Sequence, residues 1–295
     1  MKIILTGASG FLGKHIAHYF ANEELITIGR TSGSVIAHLE REIPELPQAD
    51  LVIHAAGKAH LRPLTSAEAQ DFYNVNVLGT KNLLKVLSDR NKLPDAFVFI
   101  STVAVYGLDT GVMIKEDSPL SAKDPYGRSK IVAEDLVRKW CKMHEVKCVI
   151  FRLPLIAGSN PPGNLRSMIN GIRRGYYFNI SGGKARKSMV MASSIPEAIL
   201  PAIKTGGTYH LTDGLHPSFA ELSACIAAQL GKKNPISLYG PFAHLIAIFG
   251  SFFGRISPLN KKNYKKMIND LTFDDSSARV DLDWQPLTVI SHFKI

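Results

Sequence analysis

The chain is poor in cysteine, in long apolar runs and, through its second half, in acidic residues. Its three cysteines, Cys141, Cys148 and Cys225, have neither metal-ligand spacing nor the even count of a disulfide framework. A disulfide-stapled secreted fold is thereby excluded, and free thiols in a reducing compartment are expected. The first apolar run, Ile3-Ile4-Leu5, stops at Thr6-Gly7, too short for a signal peptide. No apolar stretch reaches the ~20 residues of a bilayer span. A cytoplasmic protein is the expectation. Basic and aromatic residues are not interleaved, so nucleic acid is not an expected partner.

The net charge is +10, unevenly spread. Residues 1–150 carry 18 Lys and Arg against 17 Asp and Glu, whereas residues 151–295 carry 17 against 8. A basic half suits a polyphosphate ligand or an anionic surface.

The first half reads as strands alternating with helices. Lys2 to Thr6 is a buried parallel strand. It enters Gly7-Ala8-Ser9-Gly10-Phe11-Leu12-Gly13 and then a helical pattern to about Ala21. Gly7 and Gly10 suit a tight turn and close backbone approach to a pyrophosphate, and Gly13 suits close helix packing on the strand. In this strand–turn–helix context the triplet predicts dinucleotide binding, with Ser9, Phe11 and Leu12 at the turn. The second strand, Leu25 to Ile28, ends without the acid that usually takes a ribose 2′-hydroxyl. Arg30 and Thr31 stand there instead and favour NADP(H), with NAD(H) the alternative; a solvated loop is the plainer role for Arg30. A third strand, Ser34 to His38, places His38 and Leu39 toward the adenine. After the fourth, Leu51 to His54, the small residues Ala55-Ala56-Gly57 allow backbone approach to the cofactor, and Lys58 is a candidate phosphate ligand. A long helix over 67–90 contains Asn76, whose amide supports either the sheet or the site.

The fifth strand, Ala96 to Ile100, runs into Ser101 and Thr102 at the strand end, where ligands of open α/β sheets gather. Tyr126 and Lys130 lie one turn apart on one helical face. A neighbouring ammonium favours ionisation of a phenol and makes it usable as a base near neutral pH.

The motifs TGASGFLG (6–13), VIHAAGKAH (52–60), NVNVLGT (74–80), FISTVAVYG (99–107), YGRSK (126–130), FRLPLIAG (151–158) and FDDSSARVDLDWQP (273–286) together resemble the extended short-chain dehydrogenase/reductases. The likeness spans nearly the whole chain and is greatest to bacterial surface-polysaccharide members that act as UDP-sugar 4-epimerases or UDP-4-keto-sugar 4-reductases. It implies a Rossmann-type doubly wound parallel sheet over residues 1–154 and a smaller α/β substrate lobe over 155–295, with an interwoven boundary. By the resemblance Tyr126 is the acid/base and Lys130 binds the nicotinamide ribose and tunes Tyr126. Thr102 holds the C4 oxygen, Asn76 joins the polar network, and Arg152-Leu153-Pro154 meets the nicotinamide end. Asn164 and the following amide, at Leu165, meet the nucleotide diphosphate, as does a basic residue at Lys187, a Lys where the family has an Arg, or at its neighbour Arg186. Family members often dimerise through helices near 67–90 and 125–144, so a homodimer is expected. The likeness covers epimerase and reductase alike, and Arg30 leans toward the NADPH-using reductase. A cofactor-sensing scaffold is the rival, opposed by the presence of both Tyr126 and Lys130.

Thr208 to Asp213 reads as a strand near the substrate lobe and Phe219 to Leu230 as an amphipathic helix. Phe242 to Phe253 is strongly apolar, and Lys261, Lys262, Lys265 and Lys266 follow it. A helix covering the substrate lobe is favoured there over peripheral contact with an anionic membrane.

Overall fold

The computed structural model describes residues 1–59, 63–238 and 261–295, with no side-chain description for 261–263. Among the described residues, seven parallel strands form one sheet in the order β11-β7-β5-β4-β1-β2-β3. These are β1 (Lys2–Thr6), β2 (Glu24–Gly29), β3 (Val35–Ile36), β4 (Leu51–His54), β5 (Ala96–Thr102), β7 (Lys147–Leu153) and β11 (Gly207–His210). Three two-stranded sheets pair β6 (Gly111–Ile114) with β13 (Leu271–Phe273), β8 (Leu155–Ala157) with β10 (Met189–Met191), and β9 (Asn179–Ile180) with β12 (Ser237–Leu238).

The continuous apolar runs of the central strands are what a sheet covered on both faces requires. Successive side chains alternate between faces. Ile3, Leu5, Ile53, Val98 and Phe151 pack on one side with Leu12 and Ile16 of α1 (Phe11–Tyr19). Ile4, Val52, Phe97 and Phe99 pack on the other. That second face is covered by Leu83 and Leu87 of α3 (Gly79–Ser88) and by Val137 and Trp140 of α4 (Pro125–Met143).

The helix expected over 67–90 is built from α2 (Ser66–Tyr73) and α3, joined by a π-helical turn at Asn74–Leu78. A π turn widens the helix by one residue and is often found at functional sites; this one carries Asn76, which is buried. Helix α4 starts at Pro125, and the Asp124 carboxylate accepts the Gly127 N–H at 3.0 Å. Both features are favoured helix-start chemistry.

The strand expected near the substrate lobe at Thr208–Asp213 is the shorter β11, and it lies at the edge of the main sheet, where Gly207 pairs with Val149 and His210 with Arg152. It satisfies backbone groups that β7 would otherwise leave unpaired. Segments that follow residue 154 return to the core of the main sheet. Ala198, Ile199 and Ala202, around α6 (Ile199–Thr205), and Ala278, Leu282 and Trp284 near the C-terminus all join the core beside β1 and β5. A separate core gathers Leu165, Ile169 and Ile172 of α5 (Gly163–Arg173), Leu222 and Ile226 of α7 (Phe219–Gln229), and Val289 and Phe293. The apolar segment Phe242 to Phe253 and the side chains of Lys261 and Lys262 lie outside the described residues.

Candidate active site

The glycine turn is shaped by contacts that admit no side chain. Gly7 has φ +76°, and a Cβ on Gly13 would stand 1.9 Å from the Gly7 carbonyl oxygen. A Cβ on Gly7 would stand 2.7 Å from the Ala56 nitrogen, so the turn lies directly against Ala55-Ala56. Gly10 donates its N–H to the Gly7 carbonyl at 2.9 Å, and α1 begins at Phe11 with Leu12 buried. Ser9 and Gly10 face solvent. A bare backbone turn opening a helix fits a pyrophosphate. Arg30 and Thr31 are exposed at the end of β2; His38 is half-buried beside Glu40, and Leu39 is buried with its carbonyl accepting from Asn82 Nδ2 at 2.7 Å.

Thr102 ends β5 opposite Leu153 of β7, and its Oγ1 accepts the Ala104 N–H at 3.2 Å. Tyr126, in the first turn of α4, reaches the same place, near enough for the Thr102 hydroxyl to act on its phenol. Burial pushes the Tyr126 phenol up to about 12, with the Thr102 hydroxyl opposing and the Asp124 charge adding to the rise. The expectation that Lys130 lowers this phenol is not met in the structure. The Lys130 ammonium is turned to the Ile100 carbonyl at 2.7 Å and lies 4.5 Å over the Phe99 ring. Burial pulls Lys130 itself down to about 8, with Glu134 opposing. Gly57 leaves room for it: a Cβ there would lie 3.4 Å from Lys130 Nζ and 3.2 Å from Asn76 Oδ1.

Asn76 clamps two segments together. Its Oδ1 accepts the Lys58 N–H at 2.7 Å, while Nδ2 donates to the Lys58 carbonyl at 3.1 Å and to Ser129 Oγ at 2.9 Å. Ser129 Oγ in turn donates to the Tyr126 carbonyl at 2.7 Å. Lys58, expected to meet a phosphate, is ion-paired through Nζ to Asp71 at 2.8 Å.

Beneath this clamp runs an ordered chain. Ala56 N–H donates to Thr6 Oγ1, which lies 2.6 Å from His54 Nδ1; His54 Nε2 lies 2.9 Å from Thr80 Oγ1, which donates to the Asn76 carbonyl at 2.7 Å. Thr80 has one hydroxyl proton and spends it on Asn76, so His54 must donate from Nε2 and accept at Nδ1. Burial, and then the Lys130 charge, pull His54 down to about 3, so it is neutral.

A second buried network lies behind Thr102. Ser101, expected at the cofactor, instead donates its Oγ to Glu134 Oε1 at 2.5 Å. Arg152, expected at the nicotinamide end, grips Glu134 from Nη2 at 2.7 Å and from Nε at 3.1 Å. Its Nη1 donates to Tyr106 OH at 2.8 Å, and Tyr106 OH lies 2.6 Å from His210 Nε2. Reading the sequence did not single out Glu134, although it continues the 126, 130 spacing on one helical face.

The residues expected at the diphosphate make their contacts away from this cluster. Asn164 is exposed in the first turn of α5, whereas the Leu165 side chain is buried in the separate core. Arg186 Nη1 donates to the Leu215 and His216 carbonyls at 3.4 and 3.1 Å, and Lys187 Nζ donates to the Asn269 carbonyl at 2.9 Å. A cleft of ≈ 800 Å³ is lined by Met113, Asp213, His216, Asp275 and Arg279, with no residue of the Thr102–Tyr126–Lys130 group in its wall. The Asp213 and Asp275 carboxylates are taken up by hydrogen bonds within the fold.

The profile of the "NAD dependent epimerase/dehydratase family" matches residues 3–209, and the chain belongs to that family. It is an NAD(P)-dependent enzyme of the extended short-chain dehydrogenase/reductase type, in the nucleotide-sugar epimerase/reductase group. A relative from Escherichia coli O157:H7, N-acetyl-alpha-D-glucosaminyl-diphospho-ditrans,octacis-undecaprenol 4-epimerase, is 27% identical over 89% of this chain and 82% of its own. The fold is similar to that of UDP-glucose 4-epimerase from Thermotoga maritima, solved with UDP-glucose (TM-score 0.74, 20% identity, covering 97% of this chain and 94% of that one). It is equally similar to RMD from Pseudomonas aeruginosa, solved with NADPH (TM-score 0.73, 21% identity, covering 99% and 96%). Among the described residues no helix is long and apolar enough to cross a membrane.

Proposed function

We propose that the chain moves a hydride between nicotinamide and C4 of a UDP-linked sugar, as a UDP-sugar 4-epimerase. The observation that carries this reading is that Tyr126 and Thr102 meet at the mouth of β5, with Lys130 buried one turn further along the same helix. Tyr126 exchanges the proton of the C4 oxygen and Thr102 hydrogen-bonds the same oxygen. Lys130 holds the nicotinamide ribose, displacing its own bond to the Ile100 carbonyl. The bound dinucleotide supplies the hydride acceptor and donor. In the oxidative step the C4–H pair leaves as hydride and the hydroxyl proton goes to Tyr126; the reductive step reverses both. A phenol held near 12 is protonated at neutral pH, the state that reduction needs. Oxidation needs the phenolate, which the Lys130 ammonium would favour only once it leaves the Ile100 carbonyl. Asn164, the Leu165 amide, Arg186 and Lys187 take the diphosphate in this reading, after Arg186 and Lys187 release their carbonyl partners.

A second reading, an NADPH-dependent UDP-4-keto-6-deoxy-sugar 4-reductase, is favoured by the exposed Arg30 and Thr31 at an acid-free end of β2. Incubation of purified protein with UDP-glucose or UDP-N-acetylglucosamine, without added cofactor, separates the two. Epimer formation without net nucleotide consumption supports the first; NADPH oxidation with a 4-keto substrate and no epimerisation supports the second. A polyprenyl-diphosphate-linked N-acetylglucosamine belongs in the same assay, since it presents the same sugar diphosphate. Loss of either activity in Tyr126→Phe is expected, and full activity in that variant overturns both readings.

A further inference from the structure

Two long stretches of the second half contain no acidic residue at all, from Glu145 to Glu197 and from Glu221 to Asp270. The fold brings them together. β9 and β12 pair in parallel, Asn179 with Ser237, and the Asn179 N–H donates to the Ile236 carbonyl at 3.0 Å. The segments leading into these strands carry Arg173 and Arg174 at the end of α5, and Lys232 and Lys233 just past the end of α7. All four are exposed. The acid that α7 does carry nearby, Glu221, lies in its first turn, at the opposite end from Lys232.

The same place exposes large apolar side chains. Ile236 is 71% exposed, Tyr176 58% and Phe178 39%. Phe178 and Ile236 are the residues that immediately precede the paired Asn179 and Ser237. Cations of one sign around exposed aromatic and aliphatic side chains are the composition of an interfacial anchor: lysine and arginine meet headgroup phosphates, and tyrosine, phenylalanine and isoleucine enter the headgroup and acyl boundary. An aliphatic Ile236, 71% exposed, gains nothing against a phosphodiester backbone, so the chemistry favours lipid over nucleic acid.

We propose that the face formed by residues 173–178 and 232–236 docks the protein on an anionic bilayer surface. Helix α5 then runs from this face to Asn164, a length of about 16 Å.

The test is sedimentation of the full chain with phosphatidylcholine vesicles made with and without phosphatidylglycerol, at low and high salt. Each cation near an anionic surface multiplies affinity about fivefold. The expected result is pelleting only with phosphatidylglycerol, reversed by salt, and weakened at least about tenfold in Arg173→Glu/Lys233→Glu. A second variant, Tyr176→Ser/Ile236→Ser, is expected to weaken pelleting while leaving its salt dependence in place. Both change exposed residues, and unchanged thermal unfolding shows that the fold is intact. No pelleting of the parent chain overturns the proposal, as does equal pelleting with phosphatidylcholine alone. Undiminished pelleting of the charge-reversed variant also overturns it, because adhesion then resides elsewhere, as in the segment 242–253. So does binding of the parent to duplex DNA, lost in Arg173→Glu/Lys233→Glu, with no vesicle binding.

Discussion

Arg152 and Glu134 form a forked ion pair, Nη2 to Oε2 at 2.7 Å, with the two side chains 4% and 1% exposed. Glu134 stands one helical turn beyond Lys130, and Arg152 stands one residue before Leu153 at the sheet mouth. The pair therefore ties α4 to the ends of β5 and β7, the elements that present Tyr126 and Thr102.

Removing one member leaves the other charged and buried, a change that costs about 3–5 kcal/mol, whereas replacing both by apolar residues of similar volume is often close to neutral. Glu134→Ala is thus expected to lower unfolding stability by about that amount. Glu134→Leu/Arg152→Met is expected to recover most of it. Urea unfolding of the two variants checks this; a single variant as stable as the parent would show that the pair contributes nothing.

His54 and His210 give stability a specific pH dependence. Burial pulls them down to about 3 and about 4, from an ordinary value of 6.5. Below pH 6.5 the unfolded chain protonates both, and the folded chain does not until those lower values. Stability therefore falls on acidification through this window, at a slope of nearly two protons from these groups. His54→Gln keeps a polar side chain without titrating there. Unfolding free energies taken between pH 4 and 7 should show its slope smaller by close to one proton, and an unchanged slope would mean that His54 is not held neutral.

Much of this architecture was legible in the sequence because it rests on local patterns. The apolar runs of β1, β4 and β5 and the glycine turn at Gly7–Gly13 each announce themselves within a few residues. Asn76 was legible as a polar residue on an apolar helical face that needs a partner, and the spacing of Tyr126 and Lys130 put both on one face of α4. The partners were not. Ser101 to Glu134 spans 33 residues of sequence and Tyr106 to His210 spans 104. Only the sheet order, which puts β7 between β5 and β11, brings them together. The π turn that directs Asn76 toward Lys58 left no local mark, because its residues suit an ordinary helix equally well. The Lys130 ammonium was misjudged for the same reason: spacing along a helix puts it on the face of Tyr126, while the packing of β5 decides which carbonyl it meets.

Gly57 tests how closely Lys130 must be seated. A methyl group there would meet Asn76 Oδ1 at 3.2 Å, so that amide must move by a few tenths of an ångström, and would come into contact with Lys130 Nζ at 3.4 Å. Gly57→Ala is expected to reduce turnover by about tenfold, since small misplacements of catalytic groups are costly. Its thermal unfolding should change little, because Gly57 is exposed. Steady-state rates beside a melting curve decide it, and parental turnover would show that the Lys130 seat has slack.

Lys130 itself opposes folding at neutral pH in the free protein. Burial draws its ammonium from 10.5 down to about 8. Below pH 8 both folded and unfolded chains carry the proton, and the folded chain bears the full cost of a buried cation. Between pH 8 and 10.5 the folded chain has released it and the unfolded chain has not, so stability rises with pH across that window. The shift corresponds to about 3 kcal/mol, from which the bond to the Ile100 carbonyl, about 1 kcal/mol, is subtracted when the ammonium is removed. Lys130→Met is therefore expected to be more stable than the parent by about 2 kcal/mol at pH 7, with the advantage vanishing by pH 10.5, while sugar conversion is lost. Urea unfolding of parent and variant at pH 7 and at pH 10 measures the difference. A variant less stable at neutral pH would show that the ammonium is anchored by more than the Ile100 carbonyl and the Phe99 ring.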